Sequence, residues 1–280
     1  MTLNPKTRNL FVRTASGIVY VALMVAAVFT PWVAVPLAFF FALVGIFEFY
    51  KLCNDPSLRP HFGFWIVAAV WLLECFLNME VLDMEGGPSI PWAVMACVAG
   101  LAIFLPELIG KSEQAMSHVG LGFLAQMWVV VPLSVLFFLW IPQHPAMVLA
   151  FLILIWMSDT AAYVFGSFFG KHKLAPNISP GKTWEGFLCS CVFTVGLAIG
   201  LSYIPLFQQA GMPLWGWLVF SLIIQVFGLF GDLTESLFKR KAGVKDSGNI
   251  IPGHGGVLDR VDSILFATIP AYLFQLAVSN

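Results

Sequence analysis

Residues 146–169 read AMVLAFLILIWMSDTAAYVFGSFF. A helix needs about 20 apolar residues to cross a bilayer, and this run supplies them with one charge, Asp159, inside it. Eight more runs of the same kind lie at about 14–30, 32–50, 62–82, 90–109, 121–141, 186–205, 214–232 and 262–279. Only Thr30 and Pro31 part the first two, which implies a tight hairpin. The composition agrees. Apolar residues make up 59% of the 280 positions, charged residues 10%, and the mean hydropathy is +0.88. Soluble chains are about 25% charged, so lipid must be the solvent for most of this protein. The expected fold is an all-α integral membrane protein, a polytopic bundle of about nine transmembrane helices. An N-terminal transmembrane region, 1–140, would precede a C-terminal catalytic transmembrane region, 141–280, that carries the polar loops.

Charge placement gives an orientation. The 14 Lys and Arg fall before the first run (Lys6, Arg8, Arg13), between the second and third (Lys51, Arg59), and between the fourth and fifth (Lys111). The others lie between the sixth and seventh (Lys171, Lys173, Lys182) and between the eighth and ninth (Lys239, Arg240, Lys241, Lys245, Arg260). The alternate connections hold none. By the positive-inside rule the N-terminus is cytosolic and the C-terminus outside. Trp32, Trp92, Trp140, Trp215 and Trp217 fall near the outer ends, where interfacial anchors belong. The first run is followed at once by another without a small-residue cleavage site, so a cleaved signal peptide is not expected. No basic domain exists to bind nucleic acid. Five cysteines without paired spacing suggest neither a disulfide framework nor a zinc site.

Ionisable groups at membrane depth are costly and usually functional. Glu48 and Glu107 lie near inner ends, where an interfacial position would explain them. Glu74 lies mid-run with no obvious partner. Asp159 and Asp232 are candidates for function. Asp232 closes the eighth run and opens the densest polar stretch, 228–263: GLFGDLTESLFKRKAGVKDSGNIIPGHGGVLDRVDS. Asp232, Asp246, Asp259 and Asp262 offer hard oxygen ligands suited to Mg²⁺. Lys239, Arg240, Lys245 and Arg260 offer cations for phosphate oxygens. Gly253, Gly255 and Gly256 flank His254 in a loop whose backbone can approach a ligand closely. If 259–262 is helical, Asp259 and Asp262 share a face, and a bound cation would relieve the repulsion among these carboxylates.

The second polar block, 170–185, ends in Gly181-Lys182-Thr183. A P-loop would need glycine at 176, which is Pro, and a preceding strand rather than a membrane helix. The reading that survives is a polar turn with Lys182 directed at a phosphate, and with Lys171, His172 and Lys173 solvated. Gly166/Gly170 and Gly196/Gly200 have the spacing of close helix packing.

Ser236-x-Phe238-Lys239-Arg240, then Lys245-Asp246-x-Gly248, then Pro252-x-His254-Gly255-Gly256-Val257-x-Asp259-Arg260-x-Asp262 resembles the signature of the phosphatidate cytidylyltransferase (CDP-diacylglycerol synthase) family. Ser179-Pro180-x-Lys182-Thr183-x-Glu185-Gly186 and Asp159-x-x-Ala162-Tyr163 resemble it too. The likeness is close over about 150–270 and extends to the N-terminal half only in hydropathy. It implies transfer of a cytidylyl group from CTP to phosphatidic acid, with Mg²⁺ and room for a second cation. It also implies a homodimer in the cytoplasmic membrane with the site facing the cytosol. By resemblance Asp232 and Asp259 would bind metal, with Asp246 and Asp262 close by. Lys182, Ser236, Lys239, Arg240, Lys245, His254 and Arg260 are the candidate catalytic residues. Two rivals fare worse. A CDP-alcohol phosphotransferase would show a DG…AR run of aspartates, which is missing here. A transporter would spread polar groups through the bilayer depth, whereas here they crowd at the inner ends.

Overall fold

A computed structural model describes residues 5–53, 101, 103–110 and 113–279. The predicted spans 62–82 and most of 90–109 lie outside the described residues, as do Arg59, Glu74, Trp92 and Lys111. The chain order is α1 (Pro5–Phe29), α2 (Pro31–Cys53), α3 (Leu105–Gly110) and α4 (Ala115–Gln143). There follow α5 (Pro145–Phe169), a hairpin of β1 (Lys173–Ala175) and β2 (Ser179–Thr183), and α6 (Trp184–Ser202). The chain ends with α7 (Pro205–Gln208), α8 (Leu214–Lys241) and α9 (Leu258–Ser279). Among the described residues seven helices are long and apolar enough to cross a membrane. They are α1, α2, α4, α5, α6, α8 and α9, and the expected all-α polytopic membrane fold holds.

Local chemistry sets the boundaries. Thr30 alone joins α1 to α2, and its carbonyl accepts from Val33 and Ala34 at 2.9 and 3.0 Å, so the tight hairpin is present. In α4, π-helical turns at Gln126–Val130 and Val135–Trp140 flank Val131–Ser134. Pro132 lies in that middle piece and has no N–H to give the helical ladder. Thr183 caps α6 by accepting from Gly186 N at 3.2 Å. Gly166 of α5 faces Gly186 of α6 so closely that a Cβ on Gly186 would lie 2.9 Å from Gly166 Cα. The Gly166/Gly170 expectation is therefore met, with Thr183 also against both glycines. Gly196 and Gly200 differ: a Cβ at either meets nothing within 4 Å among the described residues.

Four expectations need correction. The eighth apolar run does not end at Asp232, because α8 continues to Lys241. The stretch LTESLFKRK contains no glycine or proline to stop a helix. The stop comes at Gly243, with φ +72, where Gly243 N bonds Arg240 O at 3.1 Å and Val244 N bonds Lys239 O at 3.0 Å. The block 170–185 is a β-hairpin rather than a simple turn, paired Lys173 to Thr183 and Ala175 to Ser179. Trp140 and Trp217 are not interfacial anchors. Both are buried in the core, Trp140 against Phe151, Phe220 and Tyr272 with ring centroids 5.0, 6.3 and 5.9 Å away. Trp32 and Trp215 are exposed, as anchors should be.

The last correction concerns Glu48 and Glu107, whose carboxylates are not left to solvent at a helix end but are covered by protein partners. Glu107 pairs with His118 Nδ1 at 2.9 Å, both side chains being buried. Glu48 is 1% exposed and reaches across to the start of α9. The core that holds this region is aromatic. Phe49 of α2, Trp128 of α4 and Phe238 of α8 meet pairwise with centroids 5.2–5.8 Å apart.

Candidate functional site

The polar ends of six elements converge at one end of the bundle. Ser16 Oγ lies 2.8 Å from His254 Nδ1, joining α1 to the 242–257 loop. Lys182 of β2 meets Asp232 of α8 at 2.5 Å. Arg240 Nε donates to Ile178 O at 3.3 Å and Nη1 to Val244 O at 3.2 Å, tying α8 to the hairpin and to the loop. A cavity of about 780 Å³ opens among α5, the hairpin, α8 and α9. Its wall carries six carboxylates (Asp159, Asp232, Glu235, Asp246, Asp259, Asp262) and six cations (Lys173, Lys182, Lys239, Arg240, Lys245, Arg260).

Helix periodicity explains half of this wall. Because α8 runs past Asp232, the residues Asp232, Glu235, Ser236 and Lys239 share one face at spacings of three and four. Ser236 Oγ donates to Asp232 Oδ1 at 3.2 Å. Lys239 Nζ donates to Glu235 Oε2 and to Asp259 Oδ1, both at 2.6 Å. The other half comes from the start of α9, which is helical from Leu258, so Asp259 and Asp262 do lie on one side. Asp259 Oδ2 accepts from Ser247 N (2.8 Å), Ser247 Oγ (2.9 Å) and Gly256 N (2.8 Å). These bonds lock the loop onto the carboxylate. Asp262 is buried, with Oδ1 accepting from Ser263 N at 2.7 Å.

The catalytic candidates Lys182, Ser236, Lys239, Arg240, Lys245 and Arg260 all line the larger cavity, as do the four aspartates Asp232, Asp246, Asp259 and Asp262. His254 lies apart, on a second cavity of about 320 Å³ between α1, α5, the loop and α9. Burial, then the charges of Arg260 and Arg13, hold His254 below its ordinary pKa. Gly253 (φ +73) and Gly255 (φ +84) supply left-handed turns, and Gly256 packs against Ser247 and Glu48. None of the three lines the larger cavity. Instead they let the loop fold back on Asp259 and Glu48.

Several partners went unmarked in the sequence. Glu235 is fully buried beside Lys239. Lys173 and His172 are exposed, as expected, but Lys173 also lies on the cavity wall and His172 bonds Glu185 through Nδ1 at 2.5 Å. A carboxylate four residues before a lysine on a helix was a usable signal for Glu235. Glu48 gave only its charge within an apolar run.

The donor set suits a divalent cation. All the acids present oxygen, and Glu235 Oε1 is buried with no hydrogen-bond partner among the described residues. Among those residues no three His, Cys, Asp or Glu side chains close into a cage. Mg²⁺ takes one or two carboxylates and completes its shell with waters and substrate phosphates.

Comparison with known proteins follows the same lines. The sequence profile described as "Cytidylyltransferase family" matches residues 11–278. A Staphylococcus saprophyticus protein named phosphatidate cytidylyltransferase is 50% identical over 121 residues, 42% of this chain and 44% of that protein. A Staphylococcus haemolyticus protein of the same name is 49% identical over 117 residues, again spanning 44% of its length. A third of that name, from Staphylococcus epidermidis, is 34% identical over 251 residues, 80% of this chain and 93% of that protein. The first two matches thus span less than half the length of those relatives, whereas the third spans nearly all of it.

Proposed function

The chain belongs to the cytidylyltransferase family, and from that premise we propose that it transfers the cytidylyl group of CTP to phosphatidic acid. The products are CDP-diacylglycerol and pyrophosphate, for phospholipid synthesis. One observation carries this reading. The larger cavity and the smaller one share Asp159, Asp259, Arg260, Asp262 and Ser263. A water-soluble triphosphate and a lipid phosphate can then reach one group of residues from two directions. The larger cavity carries the cations that polyphosphate needs. The smaller one runs between α1 and α5, whose Ile18, Val19, Val21 and Val164 are exposed as lipid-facing residues are.

Charge balance limits how the chemistry proceeds. Six acids against six cations leave no net positive charge for the anionic substrates. Lys182 and Lys239 are already engaged by Asp232 and by Glu235 with Asp259. Lys173, Lys245 and Arg260 make no ion pair with a carboxylate among the described residues, and they are the groups best placed to receive phosphate oxygens. Mg²⁺ held by one or two of the cavity aspartates, Asp232 and Asp259 by resemblance, would neutralise repulsion between the reacting phosphates. A phosphate monoester is a competent nucleophile at neutral pH, so its oxygen attacks the α-phosphorus of CTP directly and pyrophosphate departs. Lys and Arg stabilise the charge that develops on the leaving group. His254, bonded to Ser16, orders the loop at the lipid side. The positive-inside alternation supports a cytosolic N-terminus, an outward C-terminus and a cytosol-facing site in the cell membrane. The resemblance supports a homodimer.

The test is direct. Purified protein in mixed micelles with phosphatidic acid, CTP and Mg²⁺ is expected to release pyrophosphate and CDP-diacylglycerol in equal amounts. CTP alone is expected to leave the protein unlabelled. A stable cytidylylated enzyme would sink the single displacement, and no CDP-diacylglycerol under any metal condition would sink the assignment.

A further inference from the structure

We propose that Glu48, in the N-terminal part of the chain, is a positioning residue for the cavity, holding the 247–258 segment so that Asp259 faces the site in one orientation. The inference rests on the functional reading above and adds a role for α2, none of whose residues lines either cavity. Three donors from the far end of the sequence face the Glu48 carboxylate. Val257 N donates to Oε1 at 3.1 Å, Leu258 N donates to Oε2 at 2.8 Å, and the Ser247 hydroxyl, whose single proton is shared with Asp259, lies 2.9 Å from Oε2. Two of these donors are backbone N–H groups at the start of α9, which no intrahelical carbonyl can satisfy. An anion there also suits the helix dipole.

Ser247 is the link to the site. Its hydroxyl lies 2.9 Å from Glu48 Oε2 and 2.9 Å from Asp259 Oδ2, and its N–H donates to Asp259 at 2.8 Å. Glu48 and Asp259 are thus joined through one buried serine. The glycines point the same way. A Cβ on Gly248 would strike Glu48 Oε1, and one on Gly256 would strike both Glu48 carboxylate oxygens and Ser247 Oγ. A side chain at either position would displace the Glu48 carboxylate, because the loop is wrapped around a carboxylate supplied by another helix. That helix is anchored beside the site, since Phe49 next to Glu48 packs on Phe238 of α8. Asp259 in turn holds Lys239, so a shift at Glu48 passes through Ser247 to the ion pairs of the cavity.

The experiment uses full-length protein with Glu48→Gln, Ser247→Ala and Gly248→Ala, each assayed per folded, monodisperse molecule. Losing a group that orients a site carboxylate commonly costs about 10–100-fold, so kcat is expected to fall about 10–100-fold in Glu48→Gln and Ser247→Ala. The KM for CTP is expected to stay within about threefold, because no cation that meets phosphate is touched. Glu48→Gln combined with Gly248→Ala is expected to lose far less than the product of the single losses, since both disturb one contact. Amide exchange over 247–258 is expected to quicken in Glu48→Gln. A purely structural role would lower yield and stability but leave kcat per folded molecule unchanged, and that result overturns the proposal. If the wild type makes no CDP-diacylglycerol, the functional reading fails instead. Amide exchange then decides the present point, and an unchanged rate over 247–258 overturns it.

Discussion

Gly231 lies where α8 crosses α9, one residue before Asp232 and directly against the backbone of Asp262. A Cβ at 231 would lie 2.9 Å from the Asp262 carbonyl carbon and 3.0 Å from Ser263 Cα, with the Asp262 carbonyl oxygen nearer still. Ordinary contact begins at 3.4 Å, and the obstruction is backbone, which cannot rotate away. Gly231→Ala must therefore part the helices by about 1 Å at this crossing, an overpacking that costs about 1–3 kcal/mol. The same displacement separates Asp232 from Asp262 across the cavity. A misplacement of about 1 Å can cost about 100-fold in rate, and a loss of about that size is expected. Gly196→Ala and Gly200→Ala are the controls. Each has open space around it, and alanine is favoured over glycine within a helix by up to about 1 kcal/mol. Unfolding midpoints in detergent micelles and CDP-diacylglycerol formation by the same samples give both magnitudes. A Gly231→Ala protein as stable and active as wild type would refute the reasoning, and so would equal damage from Gly196→Ala.

Lys239→Met strands the fully buried Glu235 and removes a partner of Asp259, and breaking such a buried pair costs about 3–5 kcal/mol. Adding Glu235→Gln is expected to recover part of that stability in equilibrium unfolding, and no recovery would mean that the pair carries little charge. Asp232→Asn keeps shape but removes the carboxylate that holds Lys182. Turnover is expected to drop by orders of magnitude with the fold retained, and near-normal turnover would take Asp232 out of the site. For orientation, Gln209→Cys is expected to react with an impermeant reagent added outside intact cells and Lys241→Cys is not. Labelling of 241 from outside would invert the proposed topology.

Hydropathy decides whether a segment prefers lipid, and it can be read one stretch at a time, so the run at 146–169 already implied its helix. The tight hairpin at Thr30 and the crowding of charge at one end were legible for the same reason, as were the aspartates and cations of 228–263. Gly166 was legible from its small-residue spacing, whereas the helix stop at Gly243 was not read from the sequence. What the tertiary structure decided depends on residues distant in sequence. Glu48 and Leu258 are 210 positions apart, and no periodicity connects them. Trp140 and Trp217 share the amphipathic character of interfacial anchors, but they are buried because neighbouring aromatic residues surround them. Gly196 and Gly166 lie in the same small-residue spacing, yet among the described residues only Gly166 has another helix against it. Composition sets the solvent a segment will accept, whereas pairing between segments depends on which surfaces the fold brings within a few ångströms.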